Sequence, residues 1–229
     1  MTEANEDKWC FAWFADAQPA SESTRAALLK DKKWQSGDTI TISFLDGDEQ
    51  QKALVRRFAV EWITGLANLN FSWQNPPNTD IRVSFSYRGS WSVIGTTCRS
   101  VMPKMKPTMN FGWLKPGVLD SDARRVVLHE FGHALGLIHE HQNPVGQIQW
   151  NKPVVIRDLQ GPPNEWDLAT IQHNMFDVSP VNEIAGTKLD TTSIMMYPFP
   201  KSWTLDGTST GLNNELSVTD KVFIKQQYS

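Results

Sequence analysis

The sequence predicts an α+β domain: a twisted mixed sheet with two long helices in the N-terminal half, a loop-rich C-terminal half, and a cleft between them. Three observations carry this expectation. Two segments alternate apolar and polar residues with the period-two pattern of half-buried strands. Two others repeat apolar residues at helical spacing, so each covers a sheet with one face. From about residue 137 onward the chain is rich in Pro, Asn and Gly and carries only two helical patterns.

Taken in order, residues 1–30 show no period, and Pro19-Ala20-Ser21 reads as a loop. A Gly37-Asp38 turn leads into the alternating run 39–44 (TITISF), a strand with one buried face. Asp46 or Asp48 is placed to cap a helix running to about Asn68, because Ala53, Leu54, Phe58, Trp62, Leu66 and Leu69 share a face. Residues 80–86 (DIRVSFS) alternate again, 89–95 (GSWSVIG) read as an irregular crossing, and 108–113 (TMNFGW) read as a third strand. Asp120 or Ser121 is placed to cap the next helix, with Asp122 in its first turn where the dipole favours a negative charge. Val126, Val127, Phe131 and Leu135 point inward, and Gly136 ends the helix by adopting left-handed geometry. Further helices are expected over 164–176 and from a capping box at Ser217 and Asp220 to Tyr228.

Composition excludes several function classes. With 40% hydrophobic and 21% charged residues the chain matches an ordinary globular protein. A net charge of −3 draws it neither to nucleic acid nor to an anionic membrane. No run approaches the roughly 18 apolar residues of a membrane helix. The N-terminus, MTEANEDKWCFAWFADAQ, is acidic where a secretory leader is basic, so no signal peptide is read there. Asp46-Gly47-Asp48 and Asp206-Gly207 are read as turns, not calcium loops.

The chemistry concentrates at His129-Glu130-Phe131-Gly132-His133. Two imidazoles at i and i+4 lie on one helical face and can reach a single ion, with Glu130 beside them but not among the ligands. The turn at Gly136 brings His139 back toward the same point. Three neutral imidazoles with an open fourth position match a catalytic zinc site; a structural site would fill all four places. Five such fixed positions match by accident on the order of once in 10^5 sequences of this composition. His141 and His173 are read as non-ligands, and Trp91 and Trp113 as candidates to line the cleft.

The run HEFGHALGLIHE resembles the extended zinc signature of the metzincin peptidases, and Glu140 after the third histidine resembles the astacin branch. Ser193-Ile194-Met195-Met196-Tyr197 is similar to the methionine turn of that branch. The first strands, GSWSVIG, TMNFGW and the terminal LSVTDKVFIKQQY are similar to bacterial and fungal relatives of astacin, so the likeness spans residues 33–229. It implies a metzincin-like fold and a metalloendopeptidase using one catalytic zinc ion held by His129, His133 and His139, with protein or peptide substrates. It further implies that Glu130 is the general base and that Met195 floors the site. Tyr197 becomes a mobile fifth ligand that can stabilise the oxyanion. Gly136 and Glu140 are supporting residues, the latter pairing with an N-terminus freed by cleavage. Secretion is implied by the likeness alone, and a monomer is the default. Animal astacins usually carry four bridged cysteines, whereas only Cys98 follows residue 30 here, and the run after Glu140 is less basic. Substrate preference is therefore not carried over.

The likeness divides the chain into a catalytic domain, 31–229, with an upper part 31–138 and a lower part 139–229, preceded by an extension, 1–30. That extension is a candidate pro-segment. Cys10 is its first candidate for an inhibitory zinc ligand, since a thiolate would displace water, and Asp16 is the second choice. A Cys10–Cys98 disulfide and a plain packed extension remain the alternatives. An extended substrate is expected to pair with a free edge of the strand 108–113. The competing readings are a zinc-holding but blocked binding protein, a metzincin of another branch, and a structural zinc protein.

Overall fold

The computed structural model describes residues 11–13, 31–144, 146–162, 164–177 and 189–229. Among the described residues six strands make one sheet: β1 (Phe11–Trp13), β2 (Thr39–Phe44), β3 (Asn70–Trp73), β4 (Ile81–Ser84), β5 (Ser90–Val93) and β6 (Met109–Phe111). Their spatial order is β1-β5-β6-β4-β2-β3. Strands β6, β4, β2 and β3 run parallel to one another, β5 is antiparallel to β6, and β1 is parallel to β5. The mixed sheet expected from the sequence is present, with three strands, β1, β3 and β5, that local pattern did not show.

One of these changes a functional expectation. Residues 89–95 contain a strand and not an irregular crossing, and that strand pairs with β6. Since β4 holds the other side of β6, the strand expected to offer a free edge lies inside the sheet, and beyond it β5 is itself covered by β1. Four residues (SWSV) were too few for alternation to show.

Two long helices pack together on the sheet: α1 (Glu49–Ala59) and α2 (Asp120–Ala134). Asp48 caps α1 in a reciprocal box with Gln51, but the helix stops nine residues short of Asn68, tightens into a 3₁₀ turn at Val60–Trp62 and meets Gly65 at φ +70. Neither Asp120 nor Ser121 caps α2. Leu119 holds the cap position without a side-chain bond, because the Asp120 carboxylate is drawn to Arg57 on α1 at 2.6 Å.

Helix α2 is buried along most of its length, and ring donors remote in sequence satisfy its carbonyls. Trp62 Nε1 donates to Leu128 O (2.8 Å), Trp34 Nε1 to Ala134 O (2.8 Å) and Tyr228 Oη to Leu135 O (2.6 Å). The last two serve the helix end, where carbonyls lack intrahelical partners. Gly136 stands at φ +97 and turns the chain, as the sequence predicted.

The C-terminal half adds α3 (Lys152–Gln160), α4 (Leu168–Ile171) running into a π-helical turn (Gln172–Phe176), and α5 (Val218–Gln227). Helix α3 was missed, and the continuous helix expected over 164–176 exists only from 168, in two geometries. The capping box at Ser217 and Asp220 is present. Two apolar cores result. The larger joins sheet, α1, α2 and, from α5 and its end, Ile224 and Tyr228; the smaller gathers Val155, Leu159, Ile171, Met175, Phe199 and Trp203. Ile194 and Met195 belong to the first core, while Met196 and Tyr197 belong to the second. One tight turn thus forms the seam between them.

Candidate metal and catalytic site

The site is built where α2, the Gly136 turn and the seam at 193–197 meet. His129, His133 and His139 bring one ligand nitrogen each to within 4.8 Å of one another, and they are 8%, 0% and 1% exposed. His129 Nδ1 lies 2.8 Å from Ile194 O, and His133 Nδ1 lies 2.8 Å from Leu137 O. A carbonyl can only accept, so both Nδ1 atoms carry the proton and both Nε2 lone pairs are bare. His133 Nε2 and His139 Nε2 stand 3.2 Å apart, and His129 Nε2 has no hydrogen-bond partner among the described residues. Tetrahedral zinc–nitrogen bonds of about 2.05 Å place two ligand atoms about 3.3 Å apart, so the cluster fits that ion. Burial pushes the three imidazoles well below the usual histidine range, His133 to about 4, and the neighbouring rings lower His129 and His139 further. They are therefore in the neutral, ligating form.

Glu130 is fully buried and lines one pocket with His129, Ile194, Met196 and Tyr197. The pocket encloses ≈ 360 Å³ and opens to solvent. The Tyr197 ring lies 4.1 Å from that of His139 and 4.6 Å from that of His141. Trp113 lines this pocket, whereas Trp91 stands edge-on to Tyr87 at 6.3 Å. Arg125 and Asn213, not singled out in the sequence, also line it. Arg125 sits one helical turn before His129, a spacing that could have shown it; nothing local marks Asn213.

Met195 lies directly beneath the helix. A Cβ added at Gly132 would collide with Met195 Sδ and stand 3.2 Å from a ring carbon of Trp62. The glycine between the metal-binding turns is thus required by a close approach. Gly132→Ala gains about 1 kcal/mol in helix propensity. Overpacking a sealed site costs about 1–3 kcal/mol, and the second effect wins because Met195 is itself 1% exposed. The expected result is a melting midpoint a few degrees lower; an unchanged or higher midpoint would show that Met195 yields freely.

Glu140 Oε1 accepts from Asn143 Nδ2 and from Asp190 N, each at 3.0 Å. Burial first, and the carboxylates of Asp220 and Asp190 next, push its carboxyl up to about 7. His141 Nε2 meets Asn174 O at 2.7 Å and His173 approaches Asp177, so neither joins the cluster, as expected. Cys98 is a free buried thiol, pushed up to about 12 by burial. Cys10 and Asp16 lie outside the described residues.

A mixed sheet over a long helix, three converging imidazoles and a methionine turn beneath them define a metzincin-type zinc peptidase. No protein-family model matches the chain, and no curated protein is significantly similar to it. Solved structures are. One of myroilysin is 38% identical, with a TM-score of 0.85 over 88% of this chain and 97% of that one. A second of myroilysin is 34% identical, with a TM-score of 0.65 over 95% and 93%. The zinc protease high choriolytic enzyme 1, a hatching enzyme of the medaka fish Oryzias latipes, shares the fold at 17% identity and a TM-score of 0.57 over 86% and 94%. The chain belongs to the astacin-like metzincins, with myroilysin as a relative. It is a zinc metalloendopeptidase with one catalytic zinc ion, acting on proteins or peptides. No helix among the described residues is long and apolar enough to cross a membrane.

Proposed function

We propose that residues 31–229 are the catalytic unit, that Glu130 is its general base, and that residues 1–30 hold it latent. The carrying observation is the convergence of three neutral imidazoles on one another, the first of which, His129, lines the pocket that also contains Glu130 and Tyr197. His129, His133 and His139 would hold the zinc ion, which when bound acidifies water and polarises the scissile carbonyl. Glu130, buried beside His129, takes the proton of the attacking water and returns it to the leaving amine. Tyr197 donates to the oxygen on which negative charge develops, a contact stronger in the transition state than in the ground state. Met195 supports this floor.

Two features support latency. Strand β1 occupies the outer edge of β5 with Phe11 opposite Trp91 and Trp13 opposite Val93, the edge at which an extended substrate would add. Glu140 is half-buried, and its carboxylate accepts from Asn143 and the Asp190 N–H with no Lys or Arg beside it among the described residues, which suits capture of an N-terminus released by cleavage. Cys10, next to β1, is the first candidate for a blocking ligand, and Asp16 the second.

Metal removal tests the reading. A chelator is expected to abolish hydrolysis of a denatured protein by the processed chain, and one equivalent of zinc to restore it. Undiminished hydrolysis by metal-free protein would end the proposal.

A further inference from the structure

The carboxylate of Asp220 does more than its place in a capping box requires. It sits at the third position of α5, accepts from the Ser217 N–H at 2.9 Å, and donates its own N–H to Ser217 Oγ at 2.9 Å. Such a glutamate or aspartate ordinarily serves the helix start and faces water. Here the residue is 5% exposed, and both oxygens reach across 26 and 27 residues to the turn below the zinc site. Oδ1 accepts from Ser193 Oγ at 2.7 Å, and Oδ2 accepts from the Ile194 N–H at 2.9 Å. Ser193 Oγ in turn accepts from the Met195 N–H at 3.0 Å.

Two of these turn residues reach the metal-binding segment from the other side. Ile194 O accepts from His129 Nδ1, and Met195 O accepts from the Glu140 N–H at 3.0 Å, immediately after His139. A single buried carboxylate therefore anchors the N–H of Ile194, the residue whose carbonyl sets the tautomer and angle of the first imidazole. Burying an anion is costly unless its acceptor sites are filled, and most of those filling it belong to the turn, not to the helix.

We infer that Asp220 is a positioning residue of the zinc site, acting through Ser193 and Ile194 on His129. This rests on the zinc peptidase reading above. It couples the C-terminal helix, far along the chain from the histidine motif, to the geometry at which the first ligand presents its lone pair.

The test compares Asp220→Asn with Ser217→Ala in the otherwise complete chain. Asparagine keeps the shape but loses one acceptor and brings two donors, so it cannot accept from both Ser193 and Ile194. Ser217→Ala removes the helix cap and leaves the carboxylate on the turn. Partners of metal-bound histidines typically contribute about 10–100-fold in metal affinity. One step further out, Asp220→Asn is expected to speed zinc loss to a chelator about tenfold, shift the visible bands of the cobalt(II)-substituted protein, and lower kcat with little change in KM. Ser217→Ala should lower the melting midpoint and leave the zinc loss rate and cobalt bands unmoved. If Asp220→Asn fails to fold, Ser193→Ala reads the same path and should move both metal readouts in the same direction. Equal falls in melting midpoint with unmoved metal readouts in every variant would overturn the inference. An unsubstituted chain that takes up no zinc would instead fail the peptidase reading itself.

Discussion

Glu130→Ala is expected to retain one equivalent of zinc and lose about 10³–10⁴-fold in kcat/KM, the upper range for a general acid–base group. Metal binding survives because the three imidazoles keep their own carbonyl and ring partners at Ile194, Leu137 and His133. Turnover does not, because Glu130 is the acidic side chain among the lining residues of the pocket. Tyr197→Phe in the same assay keeps the ring on His139 and His141 and removes only the hydroxyl, so it should cost less, about 10²-fold, chiefly in kcat. Metal content by elemental analysis beside steady-state rates settles both. Near-normal activity of Glu130→Ala would reject it as the base, and an emptied metal site in Tyr197→Phe would make Tyr197 structural.

Removing residues 1–30 is the second large effect. A tethered strand competes at an effective concentration on the order of millimolar. Against it, a substrate near about 10 μM is outcompeted roughly hundredfold for the β5 edge. The chain beginning at Asp31 should therefore hydrolyse a denatured protein about 10²-fold faster than the full chain. Cys10→Ala in the full chain separates the two sources of latency. A rise to the truncated rate would assign the block to the thiol, and no rise would assign it to the paired strand or Asp16. Equal rates for full and truncated chains would discard the inhibitory role of the N-terminal segment altogether.

The histidine motif was legible because a helix converts spacing into position. Residues four apart share a face whatever surrounds them, so His129, Glu130 and His133 needed no tertiary knowledge. Gly136 was legible because only a left-handed residue both ends the helix and returns His139, and its φ of +97 bears this out. Asp48 and Ser217 were legible as caps because their partners lie three residues away. The cap expected at Asp120 failed for the opposite reason: Arg57, sixty-three residues earlier, competes for the same carboxylate.

What only the tertiary structure decided shares that long-range character. Pairing of β6 with β5, a strand too short to show a period, removed the edge expected at 108–113, and β1 covers β5 in turn. The need for glycine at 132 comes from Met195, and the second role of Asp220 comes from Ser193 and Ile194. The sequence by itself marked out the ion, three candidate ligands and the adjoining carboxylate, because those depend on helical periodicity and side-chain chemistry. The sheet edge, the floor beneath the ligands and the carboxylate that orients them depend on contacts between residues dozens of positions apart, which packing alone specifies.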